Sequence, residues 1–206
     1  MSLAPKGVTC SGCGFSQQIV RAPVTLRYPL PDGGRATAYR SEGWCPRCES
    51  IQDVEELPDV QELQHSIADY ERRVQGGRLD RIKDRLGRPP SNERELAHRE
   101  LARLEDTLRW RRSRQSPPRC LGCGSADWQA VDWVSDEHGG HSNISHTELF
   151  RHTCGGRLRR VTEPNLRFHC RPTQIVLTPE GQVLRTEPDD GDDLLGDFGN
   201  RMSRGR

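Results

Sequence analysis

Three C-x2-C pairs limit what this chain can fold into. They are Cys10/Cys13, Cys45/Cys48 and Cys120/Cys123, and two single cysteines follow, Cys154 and Cys170. Two thiols separated by two residues sit on one tight turn, and two such turns make a tetrahedral thiolate site for zinc. Eight cysteines therefore supply two structural Zn2+ sites. Taken in chain order, Cys10, Cys13, Cys45 and Cys48 form the first site. Four thiolates saturate the ion and leave no position for water, so this zinc is structural. The second site takes Cys120, Cys123 and Cys154, and its fourth ligand is open. Cys170 reaches it if residues 157–161 and 166–170 form a regular hairpin. His152 is the alternative to Cys170, two residues before Cys154, and His169 is a third candidate.

The two cysteine-rich regions look like a diverged repeat. One opens Cys10-Ser-Gly-Cys13-Gly14, the other Cys120-Leu-Gly-Cys123-Gly124, and the gaps to the next cysteine are 31 and 30 residues. Val24–Tyr28, a Pro29–Gly34 turn and Arg35–Tyr39 read as a hairpin, with Ile51–Val54 as a third strand. Strands are also expected over Trp128–Val134, Thr147–Phe150, Arg157–Val161 and Leu166–Cys170. A last hairpin pairs Gln174–Leu177 with Val183–Arg185.

The middle of the chain has helical periodicity. Val60, Leu63, Ile67, Tyr70 and Val74 are spaced 3-4-3-4, and Leu79, Ile82 and Leu86 resume in a shifted register after Gly76-Gly77. Asn92 and Glu95 predict a capping box for a second helix carrying Leu96, Ala97, Leu101, Leu104 and Leu108. Its end is rich in Arg, which suits a helix C-terminus. The two form an antiparallel, coiled-coil-like hairpin, roughly 30 Å long at about 1.5 Å per residue. Its apolar stripes bury each other or a partner's helices, so homo-oligomerisation through the hairpin is one expectation.

The fold class expected is thus α+β, with two small β-rich lobes flanking the helical hairpin. The boundaries fall at 1–57, 58–114 and 115–186, with a disordered acidic tail over 187–206. Composition supports small metal-stapled units over one large core, since 32% of residues are hydrophobic and 30% charged. No run of apolar residues is long enough to span a membrane. Met1–Gly7 has no apolar signal-peptide core, so a cytoplasmic, reducing location is expected, where paired thiols bind metal.

The knuckles around Cys10/Cys13, Trp44-Cys45-Pro46-Arg47-Cys48, Cys120/Cys123 and Cys154-Gly155-Gly156 resemble the zinc-ribbon superfamily, over roughly residues 8–55 and 118–172. The resemblance implies zinc binding and a small β-sheet fold. It does not select among protein, DNA and RNA partners.

Three functions follow. The first is a non-enzymatic interaction or scaffold protein within a larger assembly, with protein partners, using the apolar stripes, Trp128, Trp133 and the tail with Leu194, Leu195 and Phe198. The second is nucleic-acid binding through Arg109, Arg111, Arg112, Arg114, Arg157, Arg159, Arg160, Arg167 and Arg171, interleaved with Trp110 and Phe168. Net charge is only +1, and 29 of 31 basic residues are Arg. The third is a zinc-dependent hydrolase built on His138, His141 and His146, with Asp136 and Glu137 beside them. That loop lacks the H-E-x-x-H order, and no phosphate loop or nucleophile elbow is present, so an enzyme is the weaker expectation.

Overall fold

The alternation of buried and exposed residues along Arg35–Cys45 identifies the longest strand, around which most of the chain is organised. The computed structural model describes residues 2–77, 86, 92–135, 144–163 and 165–189. Thirteen strands and two helices occupy the described residues.

The largest sheet contains β4 (Val24–Pro29), β5 (Arg35–Cys45), β6 (Ser50–Glu56), β12 (Thr173–Leu177) and β13 (Val183–Pro188), in the order β13-β12-β4-β5-β6. The short β7 (Gln129–Ala130) adds to β5. The expected β4–β5 hairpin and β12–β13 hairpin are both present. β12 runs parallel to β4, Ile175 opposite Leu26. A second sheet has the order β3-β2-β10-β9-β8: β3 (Ser16–Ile19), β2 (Lys6–Cys10), β10 (Leu158–Thr162), β9 (Ile144–Thr147) and β8 (Trp133–Ser135). A two-stranded pair joins β1 (Ser2–Leu3) to β11 (Phe168–His169).

Both larger sheets mix strands from the two cysteine-rich segments, which fold together rather than as contiguous flanking lobes. The reason lies in strand edges. The expected 157–161/166–170 hairpin does not form, because β2 and β9 take both edges of β10. β11 pairs instead with β1. β13 continues to Pro188, past the point where the acidic tail was expected to begin. Residues 190–206, with Leu194, Leu195 and Phe198, lie outside the described residues.

Helix α1 (Val60–Gln75) is capped by Asp59, whose carboxylate accepts from the backbone N–H groups of Gln61 and Glu62. Helix α2 spans Asn92–Ser113. Arg94 Nε reaches the Val74 carbonyl at 2.7 Å and Arg111 Nε the Pro58 carbonyl at 3.2 Å, so the helices run antiparallel. Leu79 and Ile82, and the Gly87–Pro90 break, lie outside the described residues. The apolar face of α2 is divided: Leu104 is buried, while Trp110 enters the core of the large sheet and stacks on Tyr28 at 4.0 Å. A second core, Val8, Trp44, Ile51, Phe150 and Leu158, fills the space between the sheets.

Beneath Trp110 lies an ion pair sealed from solvent. Arg114 donates both terminal nitrogens to Glu55, at 2.9 and 2.6 Å, and Tyr28 donates its hydroxyl to the same carboxylate. Both charged side chains are fully buried. Burial, and then the Glu55 charge, hold the Tyr28 hydroxyl well above its ordinary pKa.

Candidate metal centres

The described residues gather metal-ligating side chains in two places: Cys10, Cys13, His152 and Cys154 in one, Cys45, Cys48, Cys120 and Cys123 in the other. In each, the ligand atoms lie within 4.8 Å of one another. The grouping differs from the chain-order expectation. Cys10/Cys13 do not join Cys45/Cys48; each amino-terminal knuckle closes on a segment far along the chain.

Strand pairing causes the exchange. β2 delivers Cys10 at its end, opposite Leu158 of β10. The ladder continues into the turns, with Ser11 N–H donating to the Arg157 carbonyl at 2.9 Å. That sets the first knuckle beside the turn carrying His152 and Cys154. Two glycines allow the approach. A Cβ on Gly156 would lie 2.6 Å from Gly12 N and 2.7 Å from Cys10 Sγ. The second cluster is built alike. Cys45 ends β5, and β6 pairs with the knuckle that holds Cys120: Glu55 N–H donates to the Arg119 carbonyl and Leu121 N–H to the Asp53 carbonyl, both at 2.9 Å.

The distances fit a tetrahedral ion. Zn–S bonds of about 2.3 Å and Zn–N bonds of about 2.0 Å imply S···S edges of about 3.8 Å and S···N edges of about 3.5 Å. In the first cluster, Cys10 Sγ and Cys154 Sγ are 3.4 Å apart. His152 Nδ1 lies 3.5 Å from Cys13 Sγ and 3.3 Å from Cys154 Sγ. In the second, Cys45 and Cys123 are 3.5 Å apart, and Cys48 and Cys120 3.9 Å. All are far beyond a disulfide bond of about 2.05 Å, and the eight cysteines are free thiols. Three thiols with an imidazole, and four thiols, are donor sets suited to zinc.

The environments differ. Cys45 and Cys120 are buried with Val54, against Trp128. Burial pushes the Cys48 and Cys120 thiols up. Burial also opposes ionisation of Cys123, but the Ser125 backbone N–H and the neighbouring thiols bring it down to about 7. In the first cluster, Cys13 and Cys154 are exposed. His152 is buried, between Phe15 at 5.1 Å and Trp44 at 4.7 Å. Asp132 fixes the approach to it, accepting from the backbone N–H groups of Glu148, Leu149 and Phe150 at 2.9, 2.6 and 2.8 Å. Those bonds depress the Asp132 pKa against the opposing effect of burial.

Cys170 lies outside both clusters. Its candidacy depended on the hairpin that β10 does not make. His169 is on β11, opposite Ser2. The missed signals were the strand Lys6–Cys10 leading into the first knuckle, and the His152-x-Cys154 spacing read as one paired ligand unit.

The candidate cationic residues separate by environment. Arg114 is committed to Glu55, and Arg160 to Glu42 at 3.1 Å. Arg109 pairs with Asp32 and Asp106. Arg111 donates to the Pro58 carbonyl. Arg112 is exposed beside a groove between the helices. Arg157, Arg159, Arg167 and Arg171 are exposed on or next to β10 and β11. His146 lies on β9, opposite Arg159. His138 and His141, with Asp136 and Glu137, lie outside the described residues.

Comparison with protein-family models, with curated proteins and with solved structures yields no match. The fold and sites therefore define the class on their own: an α+β protein with two Cys/His clusters able to hold a metal ion, consistent with zinc. No helix among the described residues is long and apolar enough to cross a membrane.

Proposed function

We propose that this chain is a non-enzymatic, zinc-stapled interaction protein acting within a larger assembly. The observation that carries the reading is the closed, long-range character of both clusters. Each offers four protein ligands, which leaves no coordination position for a reacting water. They join residues 72 to 78 apart in one case and 139 to 144 apart in the other. When bound, zinc supplies cross-linking and charge neutralisation. The residues around it set knuckle geometry: Gly12 and Gly156 permit backbone approach, and Asp132 holds the turn before His152.

The outer face of the five-stranded sheet supports the interaction role. Ser16, Thr9 and Arg159 lie exposed in adjoining registers across it, and the half-buried His146 separates them from exposed Val134. The reading is tested by placing a photo-cross-linking residue at Val134 or Thr9 in the full chain in cells, with Glu148 as control. Discrete protein adducts at the first two positions and none at the third are expected. Adducts no more frequent at Val134 and Thr9 than at Glu148 would overturn it.

Nucleic-acid binding is the second reading, and the exposed Arg157, Arg159 and Arg167 favour it. Phosphate contacts by these three would make affinity fall steeply with salt. Fluorescence anisotropy with labelled single- and double-stranded DNA and RNA at low salt tests it. Absence of saturable binding to all four would remove it.

A further inference from the structure

Where the two sheets meet, a charged cluster is left unbalanced. Glu42 and Asp53 face each other across β5 and β6. Arg21 spans them, with Nη1 3.2 Å from Glu42 and Nη2 2.9 Å from Asp53. Arg160 takes the second oxygen of Glu42 at 3.1 Å, which also accepts from the Trp133 indole. Arg40 takes the second oxygen of Asp53 and also donates to the Ala22 carbonyl. All four carboxylate oxygens are therefore occupied.

The cations outnumber them. Lys6 points to the same side of β2 as buried Val8, and its neighbours across the ladders are Ile19 and Thr162. It is half-buried, and its ammonium makes no hydrogen bond or close ion pair among the described residues, although it feels the Glu42 charge. Lys6, Arg21, Arg40 and Arg160 against Glu42 and Asp53 leave two positive charges uncompensated. The Arg side chains are 13 to 20% exposed. The Nε of Arg21 is buried without a partner. Beside Arg21 and Asp53 opens a cleft of about 350 Å³, also lined by Gln18, Gln52, Leu121 and Gly122.

We propose that this cluster binds a compact phosphate-type oxyanion, either free or carried as a phosphodiester on a larger molecule. Such an ion takes several N–H donors at once, which suits guanidinium groups. It would balance the two surplus charges and give the Lys6 ammonium an acceptor. Excess charge held out of water is costly without a counter-ion. The proton affinities agree. Burial first, then mutual repulsion, lowers the pKa of Lys6 and Arg40, the latter to about 10. Burial lowers Arg21 and Arg160 likewise, against the pull of Glu42. One wall of the cleft, Leu121 and Gly122, is the Cys120–Cys123 knuckle, so the site is tested with zinc bound.

The experiment is titration of the zinc-loaded full chain with inorganic phosphate at constant ionic strength, by calorimetry and thermal melting. The comparison ligand is a short oligothymidylate. Saturable phosphate binding is expected, with a raised melting temperature that chloride at equal ionic strength does not give. Lys6→Met removes one cation without removing a recorded hydrogen bond, and is expected to weaken binding about tenfold, as loss of one charge-assisted contact does. Arg21→Gln should weaken it further, and Lys6→Met keeps the test valid if that variant does not fold. Tighter oligothymidylate binding that phosphate displaces identifies a phosphodiester source. Phosphate binding without oligothymidylate binding identifies the free ion. No saturable binding of either probe, or Lys6→Met binding as tightly as the unaltered chain, overturns the proposal.

Discussion

Replacing Cys120 by Ser should cost the fold about 4 kcal/mol, a value that follows from how far apart the ligands lie. In the native chain Cys45, Cys48, Cys120 and Cys123 are already assembled. In the unfolded chain, each C-x2-C pair can still hold zinc through two thiols. Recruiting the other pair means closing a loop of 72 residues or more. The chain-entropy relation puts that closure at about 4 kcal/mol, equivalent to about a thousandfold in affinity. By linkage, the same factor is the stabilisation that saturating zinc gives the folded state. Cys120 is buried with Cys45 and Val54, so the substitution also leaves a polar group facing that small core. Urea unfolding in excess zinc, followed by circular dichroism, measures the effect. With a slope of about 2 kcal/mol/M, the midpoint should fall by about 2 M while one zinc per chain stays bound at Cys10, Cys13, His152 and Cys154. A midpoint shift under about 0.5 M would refute the reasoning, since the cluster would then not be tying distant segments together.

Gly156→Ala places a methyl 2.7 Å from Cys10 Sγ, so zinc analysis should show one ion per chain with the all-cysteine cluster filled. Glu55→Ala strands the fully buried Arg114 guanidinium, which should destabilise the chain by about 3–5 kcal/mol in thermal or urea unfolding. Glu55→Gln should cost less than Glu55→Ala, because its single amide oxygen still accepts from Arg114. Asp132 has a depressed folded-state pKa. The stability it contributes is therefore complete above the usual carboxylate value of about 3.9, and is lost as pH falls through its lower folded value. An Asp132→Asn variant should flatten that acid limb in a pH series of melting curves, and an unchanged limb would exclude the assignment.

The sequence carried ligand identity further than ligand partnership. A C-x2-C knuckle is a local event, decided by a few residues and a glycine, and Cys10, Cys13, Cys45, Cys48, Cys120 and Cys123 all appear in clusters. Which knuckles share an ion is decided by strand order, a long-range property. Nothing in the local pattern of Leu158–Thr162 says that its edges go to β2 and β9 rather than to residues 166–170. Of the two open candidates, His152 stands in a cluster and Cys170 does not, and that one choice of edge separates them. The helical segments were legible because periodicity is local: the 3-4-3-4 stripe from Val60 to Val74 falls within α1. The burial of Arg114 was not, since an Arg at the end of a basic helix reads as surface until Glu55 and Tyr28 are folded over it. The parallel β12–β4 contact was hidden for the same reason, its partners lying about 150 residues apart.

Ligand partnership is read most directly by cysteine labelling in Cys10→Ser. The zinc-loaded variant is treated with N-ethylmaleimide, and each labelled thiol is located by peptide mass spectrometry, with the zinc content measured in parallel. The expected result is loss of one zinc, with Cys13 and Cys154 labelled and Cys45, Cys48, Cys120 and Cys123 protected. Labelling of Cys45 and Cys48 together with Cys13, while Cys154 stays protected, would contradict the interleaved pairing on which the account rests.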